Sequence, residues 1–507
     1  MYDAIIFTDI TDNIVNAIPI GAYKCAHVIR KQGYSCLVVN HLSDYTLSEL
    51  YELLEISIGK NTKLVGFSTT FLKSTEIEII PGQPTPPYPD LLPNVLFPQG
   101  KEFENQVIQY IKNKNNSIKI LAGGAKVNPN YSNKNVDYVC LGYSEISIVN
   151  LMNHLVKNDT LLYTTTNIWG RKIIDDKFAK DYNFPNEDME WLDIDVVNHK
   201  VLPIEIGRGC IFKCKFCSYP MNGKQQLDFI KSANLLYTEL QTNYDKFGIK
   251  DYIVVDDTFN DHPDKLHLIL SAIERLNFQP IFWAYHRLDL LATRPETLDI
   301  LYKIGVRSMY FGIETFNSKT GRIIGKGYNR TKQVNVIKRI REHYKDIDVH
   351  GSFIIGLPEE SIEDVTRTYK NLCDQTIPLH SWQFLGLKIF KTTVHSFNSE
   401  FNNNFSQYGY VDQGSGDSNA IHWKNNFMDF AKAQSLANQF MSNSRTLDHF
   451  HISGQLTTQL LNLGYTKDEL SSTNFKSFDW HKCETISRPT FIKQYKSQLV
   501  DLLKSKI

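Results

Sequence analysis

The sequence predicts an α/β protein with two successive blocks of strand–helix units, followed by a mainly helical C-terminal region. Short, almost continuous apolar segments alternate with helical stretches across residues 1–165, and the same alternation returns across residues 201–390. Strands that are buried on both faces give such continuous apolar segments, so both blocks are predicted to contain parallel strands. After Phe390 the strand pattern loosens, and apolar spacing typical of helices replaces it.

The composition is that of a globular protein without a strong overall charge. The 507 residues are 42% hydrophobic and 22% charged, with a formal net charge of zero and a pI of about 7.2. The neutral balance argues against bulk nucleic acid as a partner, although a local basic patch is still compatible with the sequence. Without an N-terminal signal segment or an apolar run long enough to span a bilayer, the chain is expected to be cytoplasmic and to have no membrane span.

The first block, residues 1–165, is predicted to be a doubly wound, Rossmann-like domain. Its predicted strands are Tyr2–Phe7, Cys36–Asn40, Leu64–Ser68, Ile118–Ala122 and Val136–Leu141. Ligands of such sheets bind at the carboxyl ends of the strands, which makes the residues there candidates for binding. These candidates are Thr8, Ser68, Thr69, Gly123, Gly124 and Gly142.

The most informative stretch is the three-cysteine loop, Gly207–Cys217, which reads GRGCIFKCKFC. Cys210, Cys214 and Cys217 are close enough in sequence to hold one compact metal centre, and thiolates select iron–sulfur clusters or zinc. A zinc site needs a fourth ligand, which would have to be a distant His or Cys. A four-iron cluster with three protein ligands instead leaves one iron open for chemistry. The other five cysteines are scattered and are expected to be packing residues or idle thiols.

This loop, with Phe216 just before its last cysteine, resembles radical S-adenosylmethionine (radical SAM) enzymes. The resemblance implies that residues 201–390 form a partial (β/α)6 barrel and that the three cysteines hold a [4Fe-4S] cluster. The open iron would chelate SAM, and one electron would then cleave SAM to a deoxyadenosyl radical that abstracts hydrogen. A flavodoxin or ferredoxin is the expected electron donor.

The resemblance also suggests residues that contact SAM at the carboxyl ends of the barrel strands. These are Phe216, Asp256 or Asp257, Arg287, Glu314 and Gly356, the last of which would permit close approach of the adenine. Two of these assignments have a plain structural alternative. Phe216 could simply pack within its loop, and the adjacent acids could cap the helix that begins near Pro263.

Residues 1–165 resemble the cobalamin-binding domain that precedes the barrel in one subclass of radical SAM enzymes. The matching pieces are PIGAY, GFSTT, AGGAK and VDYVCLGYSE. In this resemblance Ser68 and Thr69 would bond the nucleotide tail of the cofactor, and Gly123 and Gly124 would let it approach the backbone. The chain departs from the subclass at Tyr143-Ser144, in a proline-rich insertion between residues 71 and 100, and in lacking a DxHxxG motif for a lower cobalt ligand.

Residues 166–200 are predicted to be a connector, and residues 391–507 a mainly helical region that shapes the substrate site. The resemblance implies a cobalamin-dependent radical SAM enzyme that methylates an unactivated carbon of a small molecule, lipid or peptide. Three alternatives stay open: a radical isomerase, cyclase or dehydrogenase with a vestigial first domain, a methylthiotransferase, and a non-catalytic cluster or cobalamin sensor.

Overall fold

A computed structural model describes the protein at residues 1–10, 17–71, 96–124, 127, 129, 131, 133–175, 184, 187–219, 221–327, 329–390, 398–414 and 420–506. The proline-rich segment of the predicted insertion lies outside these described residues. The strands of the described residues form a seven-stranded sheet, a six-stranded sheet and a two-stranded ribbon. The predicted α/β class, with one sheet that is parallel except for β6, one fully parallel sheet and a mainly helical C-terminal region, is confirmed.

The first sheet has the strand order β2-β1-β3-β4-β5-β7-β6, and only β6 runs antiparallel to its neighbour. Its strands are β1 (Ala4–Phe7), β2 (Cys36–Val39), β3 (Leu64–Ser68), β4 (Lys119–Gly124), β5 (Tyr138–Leu141), β6 (Thr164–Thr166) and β7 (Lys172–Asp175). Its helices are α1 (Ile20–Lys31), α2 (Leu47–Ser57), α3 (Lys101–Lys114) and α4 (Glu145–Lys157). The sheet therefore continues through β6 and β7 into the stretch that the sequence predicted to be a connector.

The barrel sheet has the order β13-β12-β11-β10-β9-β8, and all its strands are parallel. Its strands are β8 (Val201–Ile204), β9 (Asp251–Val254), β10 (Ile281–His286), β11 (Val306–Glu314), β12 (Asp348–Ile355) and β13 (Ser381–Gly386). The intervening helices are α5 (Ala233–Phe247), α6 (Pro263–Ile273), α7 (Leu288–Thr293), α8 (Thr297–Ile304), α9 (Ser318–Ile324), α10 (Arg330–His343) and α11 (Ile362–Cys373).

Helix α5 begins later than the apolar pattern predicts. The pattern predicts a helix from Leu227, but the helix starts at Ala233, where the Ser232 side chain accepts a hydrogen bond from Leu235 N at 3.3 Å. The residues before Ser232 pair with the segment that leads into the cysteines, since Arg208 N donates to Phe229 O at 2.9 Å and Lys231 N to Ile206 O at 2.9 Å. This pairing with the three-cysteine loop therefore overrides local helix propensity.

The C-terminal region is mainly helical, as predicted. It contains α12 (Glu400–Asn404), β14 (Val411–Asp412), β15 (Trp423–Lys424), α13 (Phe430–Ser444), α14 (Gly454–Asn462), α15 (Lys467–Ser471), α16 (Trp480–Lys482) and α17 (Arg488–Lys504). Among the helices of the described ranges, none is both long and apolar enough to cross a bilayer.

Helix α14 closes the amino end of the barrel. Gly454 N donates to Asp348 Oδ2 at 2.9 Å, at the first residue of β12. The Asn462 side chain accepts from Val201 N at 3.0 Å, at the first residue of β8. The barrel is therefore plugged at one end, and the other end, where the strands finish, is the one that carries the three-cysteine loop.

Helix α17 returns to the first sheet. Its buried residues Phe491, Tyr495 and Leu499 belong to the same core as Leu37 and Val39 of β2. Ion pairs flank this contact, including Arg488 with Asp44 at 2.7 Å and Lys496 with Glu49 at 2.7 Å. The N-terminal unit is thus completed by the last helix of the chain.

Candidate active site

The segment after β8 folds back on itself and presents the three cysteines. Cys210 N donates to Met221 O at 3.1 Å, and Cys210 O accepts from Gly223 N at 2.7 Å. Gly209 has φ +78°, and a Cβ there would stand 2.7 Å from Met221 O. A side chain at Gly209 would push the two paired segments apart, so the loop requires glycine at the position before its first cysteine.

The three thiols have different surroundings. Cys210 is buried, with Sγ 3.3 Å from Thr258 Oγ1, whereas Cys214 and Cys217 are half-buried. Burial raises the pKa of the Cys210 and Cys217 thiols, so metal binding must release their protons. In the part of the chain that the structure describes, no three His, Cys, Asp or Glu side chains converge as ligands of a single metal ion. The three thiolates of the loop are soft donors of the kind that iron–sulfur clusters use, and zinc would need a fourth ligand.

Arg287 follows β10 and turns its guanidinium toward Cys214. Nε and Nη2 form a fork on Asp289 at 3.0 and 2.6 Å, and Nη1 donates to Cys214 Sγ at 3.2 Å. The guanidinium carbon also lies 3.8 Å from the centroid of the Phe212 ring. The structure therefore places Arg287 at a cysteine of the loop, and its predicted contact with SAM stays a prediction.

The adjacent acids after β9 have separate environments. Asp256 is buried, accepts from Ile206 N at 2.8 Å and pairs with Lys265 Nζ at 2.8 Å. Its carboxylate therefore holds the backbone just after β8 in place through the bond to Ile206 N. Asp257 is half-buried, and burial together with the charges of Asp256 and Glu205 raises its pKa to about 6. Of the two, Asp257 is the carboxylate better placed to meet a ligand.

Glu314 and Lys326 come together beside Phe216 of the loop. Glu314 ends β11 with φ +67°, next to an irregularity in the pairing with β12. Lys326 Nζ lies 3.4 Å from Glu314 Oε1 and 5.9 Å from the centroid of the Phe216 ring. A non-glycine residue in the left-handed region is strained, and such strain is concentrated at functional sites.

Gly356 serves packing in this structure. It has φ +99°, and the Trp423 ring occupies the space where a Cβ would stand. Gly356 O accepts from Tyr410 OH at 2.7 Å. The lack of a side chain therefore lets the C-terminal region approach the end of β12, and contact with adenine stays a prediction. Trp423 itself is fully buried, so it belongs to the core.

The carboxyl edge of the first sheet has the features of a binding edge. With β1 between β2 and β3, the strand order reverses between β1 and β3, where doubly wound sheets bind their ligands. Thr8 Oγ1 and Asp9 Oδ1 are buried there without a hydrogen-bond partner among the described residues. Burial raises the pKa of Asp9 to about 6.

Across β3 and β4 the same edge is shaped by glycines. Gly124 has φ +125°, and a Cβ there would lie 3.0 Å from Thr70 N and 3.3 Å from Thr69 N. The Thr69 hydroxyl donates to Gly123 O at 3.1 Å. Ser68 ends β3, and Gly142, with φ +75°, follows β5 with open space beside it. The predicted residues thus share one edge, where Gly124 lets Thr69 and Thr70 pack closely and Gly142 leaves open space.

A buried ionic network, which the sequence reasoning missed, joins this edge to the three-cysteine loop. Arg208 Nε donates to Glu205 Oε1 at 2.8 Å, and Nη2 donates to Glu145 Oε1 at 2.6 Å. Lys24 on α1 also pairs with Glu205, and the Arg208 guanidinium lies 4.2 Å from the Tyr143 ring centroid. The only sequence signal was opposite charge at Glu205 and Arg208, three residues apart around the loop.

Residues 204–372 match the family model of the Radical SAM superfamily. An uncharacterised methyltransferase of Pyrococcus horikoshii is 24% identical over 288 residues, 52% of this chain and 60% of the relative. A tRNA-2-methylthio-N(6)-dimethylallyladenosine synthase of Klebsiella pneumoniae is 21% identical over 203 residues, 36% of this chain and 40% of the relative. The matches thus span about half the length of these curated relatives. The chain contains a radical SAM domain, as the three-cysteine loop predicted.

Two solved structures share the fold across almost the whole chain. The radical SAM methyltransferase TsrM from Kitasatospora setae, with tryptophan substrate and a SAM analogue bound, has a TM-score of 0.57 at 11% identity and covers 99% of each chain. The cobalamin-dependent SAM radical enzyme OxsB, with aqua-cobalamin and SAM bound, has a TM-score of 0.63 at 12% identity and covers all of this chain and 80% of the other. The likeness therefore includes the N-terminal unit, the barrel and the C-terminal region.

Proposed function

We propose that this radical SAM-domain protein is a cobalamin-dependent enzyme that methylates an unactivated carbon. The observation that carries the proposal is the bond between Arg208 and Glu145. Arg208 lies two residues before Cys210, and Glu145 begins α4 just beyond the carboxyl end of β5. The carboxyl edge of the first sheet therefore lies next to the three-cysteine loop. Cofactors bound at the two places would share one substrate.

The residues present fit each cofactor. Cys210, Cys214 and Cys217 supply the soft donor set for a [4Fe-4S] cluster. Asp257 follows β9, Glu314 ends β11, and Phe216 lies in the loop itself; these side chains suit the amino group and adenine of SAM. The buried, unpartnered Thr8 Oγ1 and the open space beside Gly142 suit the polar tail of cobalamin. When bound, the cluster and SAM supply a deoxyadenosyl radical, and cobalamin supplies the methyl group.

The protein's own contribution is to hold and orient these groups. Arg287, fixed by Asp289, donates a hydrogen bond to Cys214 and would stabilise its thiolate. Asp256 and Lys265 fix the two strand ends beside the loop. Helix α14 covers the amino end of the barrel strands, which hinders entry of water at that end.

The methylthiotransferase alternative needs a second cysteine set in the first domain. Cys36 lies on β2 and Cys140 on β5, with β1, β3 and β4 between them. Four inter-strand steps separate the two by roughly 19 Å. They are too far apart for one cluster. The relatives of that class therefore support the barrel alone.

Metal content tests the proposal. The full chain would be purified without oxygen, supplied with hydroxocobalamin, passed over a gel-filtration column and assayed for cobalt and iron. We expect about one cobalt and about four irons per chain. Incubation with SAM and reductant should then release both deoxyadenosine and S-adenosylhomocysteine. Four irons without cobalt would leave radical chemistry but overturn methylation.

A further inference from the structure

One side of the three-cysteine loop packs against the end of helix α9. Lys215 N donates a hydrogen bond to Ile324 O at 3.0 Å. A Cβ on Gly325 would stand 3.7 Å from Cys214 Cα and 3.8 Å from Lys213 O, which is ordinary van der Waals contact. Residues 213–215 of the loop and residues 324–325 at the end of the helix therefore form one continuous piece of surface.

Gly325 leaves Cys214 thinly covered on this side. Gly325 is exposed and Cys214 is half-buried, and Gly325 O lies 3.5 Å from Cys214 Sγ. The same carbonyl accepts a hydrogen bond from Arg287 Nη2 at 3.2 Å, which holds it at the thiol. Gly325 has φ +77°, a conformation that favours glycine, so no side chain stands between solvent and this backbone. A partner that touched Gly325 would therefore be one residue away from a proposed ligand of the cluster.

Cations surround this exposed glycine. Segments 213–215 and 318–326 contain no acidic residue, and together they carry five cations: Lys213, Lys215, Lys319, Arg322 and Lys326. Lys319 and Lys326 each pair with a glutamate. The described part of the chain offers no ion-pair partner to Lys213 or Lys215. Lys213 and Arg322 are exposed, and Lys215 is half-buried. We refer to Lys213, Lys215 and Arg322 as the cationic rim of Gly325.

The rim is held in place by the loop and by the C-terminal region. The stem of Lys213 lies over Gly223, where any side chain would collide with it, so its ammonium is carried at the surface beside the loop. Phe401 N donates to Lys215 O at 3.0 Å and thereby anchors the loop backbone at that point. Glu400, the residue before Phe401, is half-buried and already accepts a side-chain hydrogen bond. Against three cations this one acid leaves the rim positive, in a chain whose net charge is zero.

We propose that Gly325 and its cationic rim form the docking surface for an acidic protein that donates one electron to the cluster, such as a flavodoxin. The inference rests on the proposed function in one respect, since it takes Cys214 to be a ligand of the [4Fe-4S] cluster. In the transfer, the flavin hydroquinone is oxidised to the semiquinone and the cluster is reduced by that electron, with no bond formed or broken between the proteins. Electron-transfer complexes are small and transient, and opposite charges speed their formation.

An RNA is the other polyanion that lysine and arginine side chains attract. Binding a nucleic-acid backbone needs a groove or stripe of positive charge that follows several phosphates. The rim has three cations gathered around one glycine, and that glycine contacts a cysteine of the loop. An electron donor gains from this position because its redox centre comes close to the cluster, whereas an RNA gains nothing from it. The observations therefore favour the redox protein, and RNA binding is a separate outcome of the test.

The test uses the full chain with its iron–sulfur cluster and an acidic flavodoxin as the probe. Binding of the oxidised flavodoxin is measured by calorimetry at low and at high salt. Arg322→Glu is the informative variant, because Arg322 lies on α9 outside the cysteine loop, and Lys213→Glu is the second. The matched control is Lys338→Glu, which makes the same change of charge at an exposed residue in the second half of α10. That half of α10 leads toward the amino end of the barrel, away from the loop.

We expect the Kd for the flavodoxin to rise about tenfold in Arg322→Glu and in Lys213→Glu, to stay unchanged in Lys338→Glu, and to rise with salt in the wild type. In stopped-flow measurements, reduction of the cluster by flavodoxin hydroquinone should slow in the two rim variants, whereas reduction by the methyl viologen radical, a small cation, should not. Unchanged flavodoxin binding in both rim variants, or an equal loss in Lys338→Glu, would overturn the proposal. Tighter binding of a single-stranded RNA than of flavodoxin, with the same sensitivity to Arg322→Glu, would overturn it as well.

Two further measurements keep the result interpretable. Iron content shows that each variant carries the cluster, and if Lys213→Glu loses iron, Arg322→Glu alone decides the outcome. Cobalt content and release of S-adenosylhomocysteine are measured separately. Their failure with intact flavodoxin binding would reject methylation and leave the docking surface standing, whereas the reverse result would reject the docking surface alone.

Discussion

Arg208 Nη2 donates a 2.6 Å hydrogen bond to Glu145 Oε1, and both side chains are 6% exposed. This bond links the N-terminal unit to the loop that carries the cysteines. The same guanidinium also holds Glu205, which pairs with Lys24 as well, so one arginine contacts two buried carboxylates. Removing it would leave both without their strongest partner.

Arg208→Met is therefore expected to lower the free energy of unfolding by about 3 kcal/mol, because buried Glu145 would lose this partner and buried Glu205 would keep only Lys24. Chemical denaturation followed by circular dichroism measures the change. Lys504→Met is the control, since it breaks an exposed pair with Glu52 and should leave the unfolding curve unchanged. Equal effects of the two variants would show that the interdomain network does not stabilise the fold.

Replacing any one loop cysteine should abolish cluster binding. We expect iron content to fall from about four atoms per chain to a small fraction of that in each of three variants: Cys210→Ala, Cys214→Ala and Cys217→Ala. A cluster with only two protein ligands is poorly held. Iron assay and visible absorbance report the loss. Cys373→Ala, in helix α11, should retain full iron. Loss of iron in this control would mean that the assay reports general unfolding.

Arg287→Met should make the cluster harder to reduce. Hydrogen bonds to cluster sulfurs raise the reduction potential, and this variant removes the N–H that points at Cys214 Sγ. We expect the potential to fall by on the order of 50 mV, measured by a redox titration followed by electron paramagnetic resonance. Arg275→Met is the control, because its guanidinium contacts Asn234 and Tyr237, away from the loop. An unchanged potential in Arg287→Met would indicate that the thiolate turns away from Arg287 once iron is bound.

Gly124→Ala should prevent cobalamin binding. A methyl group there would enter the space beside Thr69 and Thr70, at a φ of +125° that alanine rarely adopts. Gly33→Ala is a matched control, since Gly33 also has a positive φ, of +84°, but has open space and lies after α1. Cobalt per chain should fall at least tenfold in the first variant and stay normal in the second. Full cobalt loading of Gly124→Ala would show that the cofactor does not bind at this edge of the sheet.

Glu360 should make stability depend on pH. Burial raises its pKa to about 8, and Thr315 is its hydrogen-bond partner while its Oε2 has none among the described residues. Since the folded pKa lies above the unfolded value, its stabilising contribution is complete at acid pH and is lost as pH rises toward and through 8. Glu360→Gln should therefore be more stable than the wild type at pH 8.5 and similar at pH 5, by urea unfolding. A constant difference across this range would contradict a protonated Glu360.

Much of the site could be predicted because its signals are local in sequence. The three cysteines lie within eight residues of one loop, and the strand ends are marked by abrupt changes from apolar to polar residues. Parallel strands bring those ends to one edge, so Thr8, Ser68 and Gly123 could be grouped from the order of the strands alone. The six barrel strands could be predicted in the same way, from the alternation of short apolar segments with helical stretches.

What escaped prediction depends on contacts between distant segments. Gly356 was interpreted as room for adenine, but Trp423, from the C-terminal region, fills that space. Asp256 looked like a ligand-binding acid, yet Lys265 and Ile206 N use its carboxylate. The hydrophobic pattern of a sequence does not show which side chain on another element a residue will contact. The roles of Gly356 and Asp256 therefore could not be assigned from their positions in the sequence alone.

The placement of α17 has a consequence for biosynthesis. Phe491, Tyr495 and Leu499 complete the apolar core of a sheet whose first strand is Ala4–Phe7. During translation the sheet emerges from the ribosome long before the helix does. The apolar face that α17 covers is therefore exposed in the nascent N-terminal unit while the whole barrel is translated. Closure of this face by α17 therefore follows translation of the whole barrel, and protease treatment of stalled nascent chains should find residues 1–175 sensitive until Leu503 has left the exit tunnel.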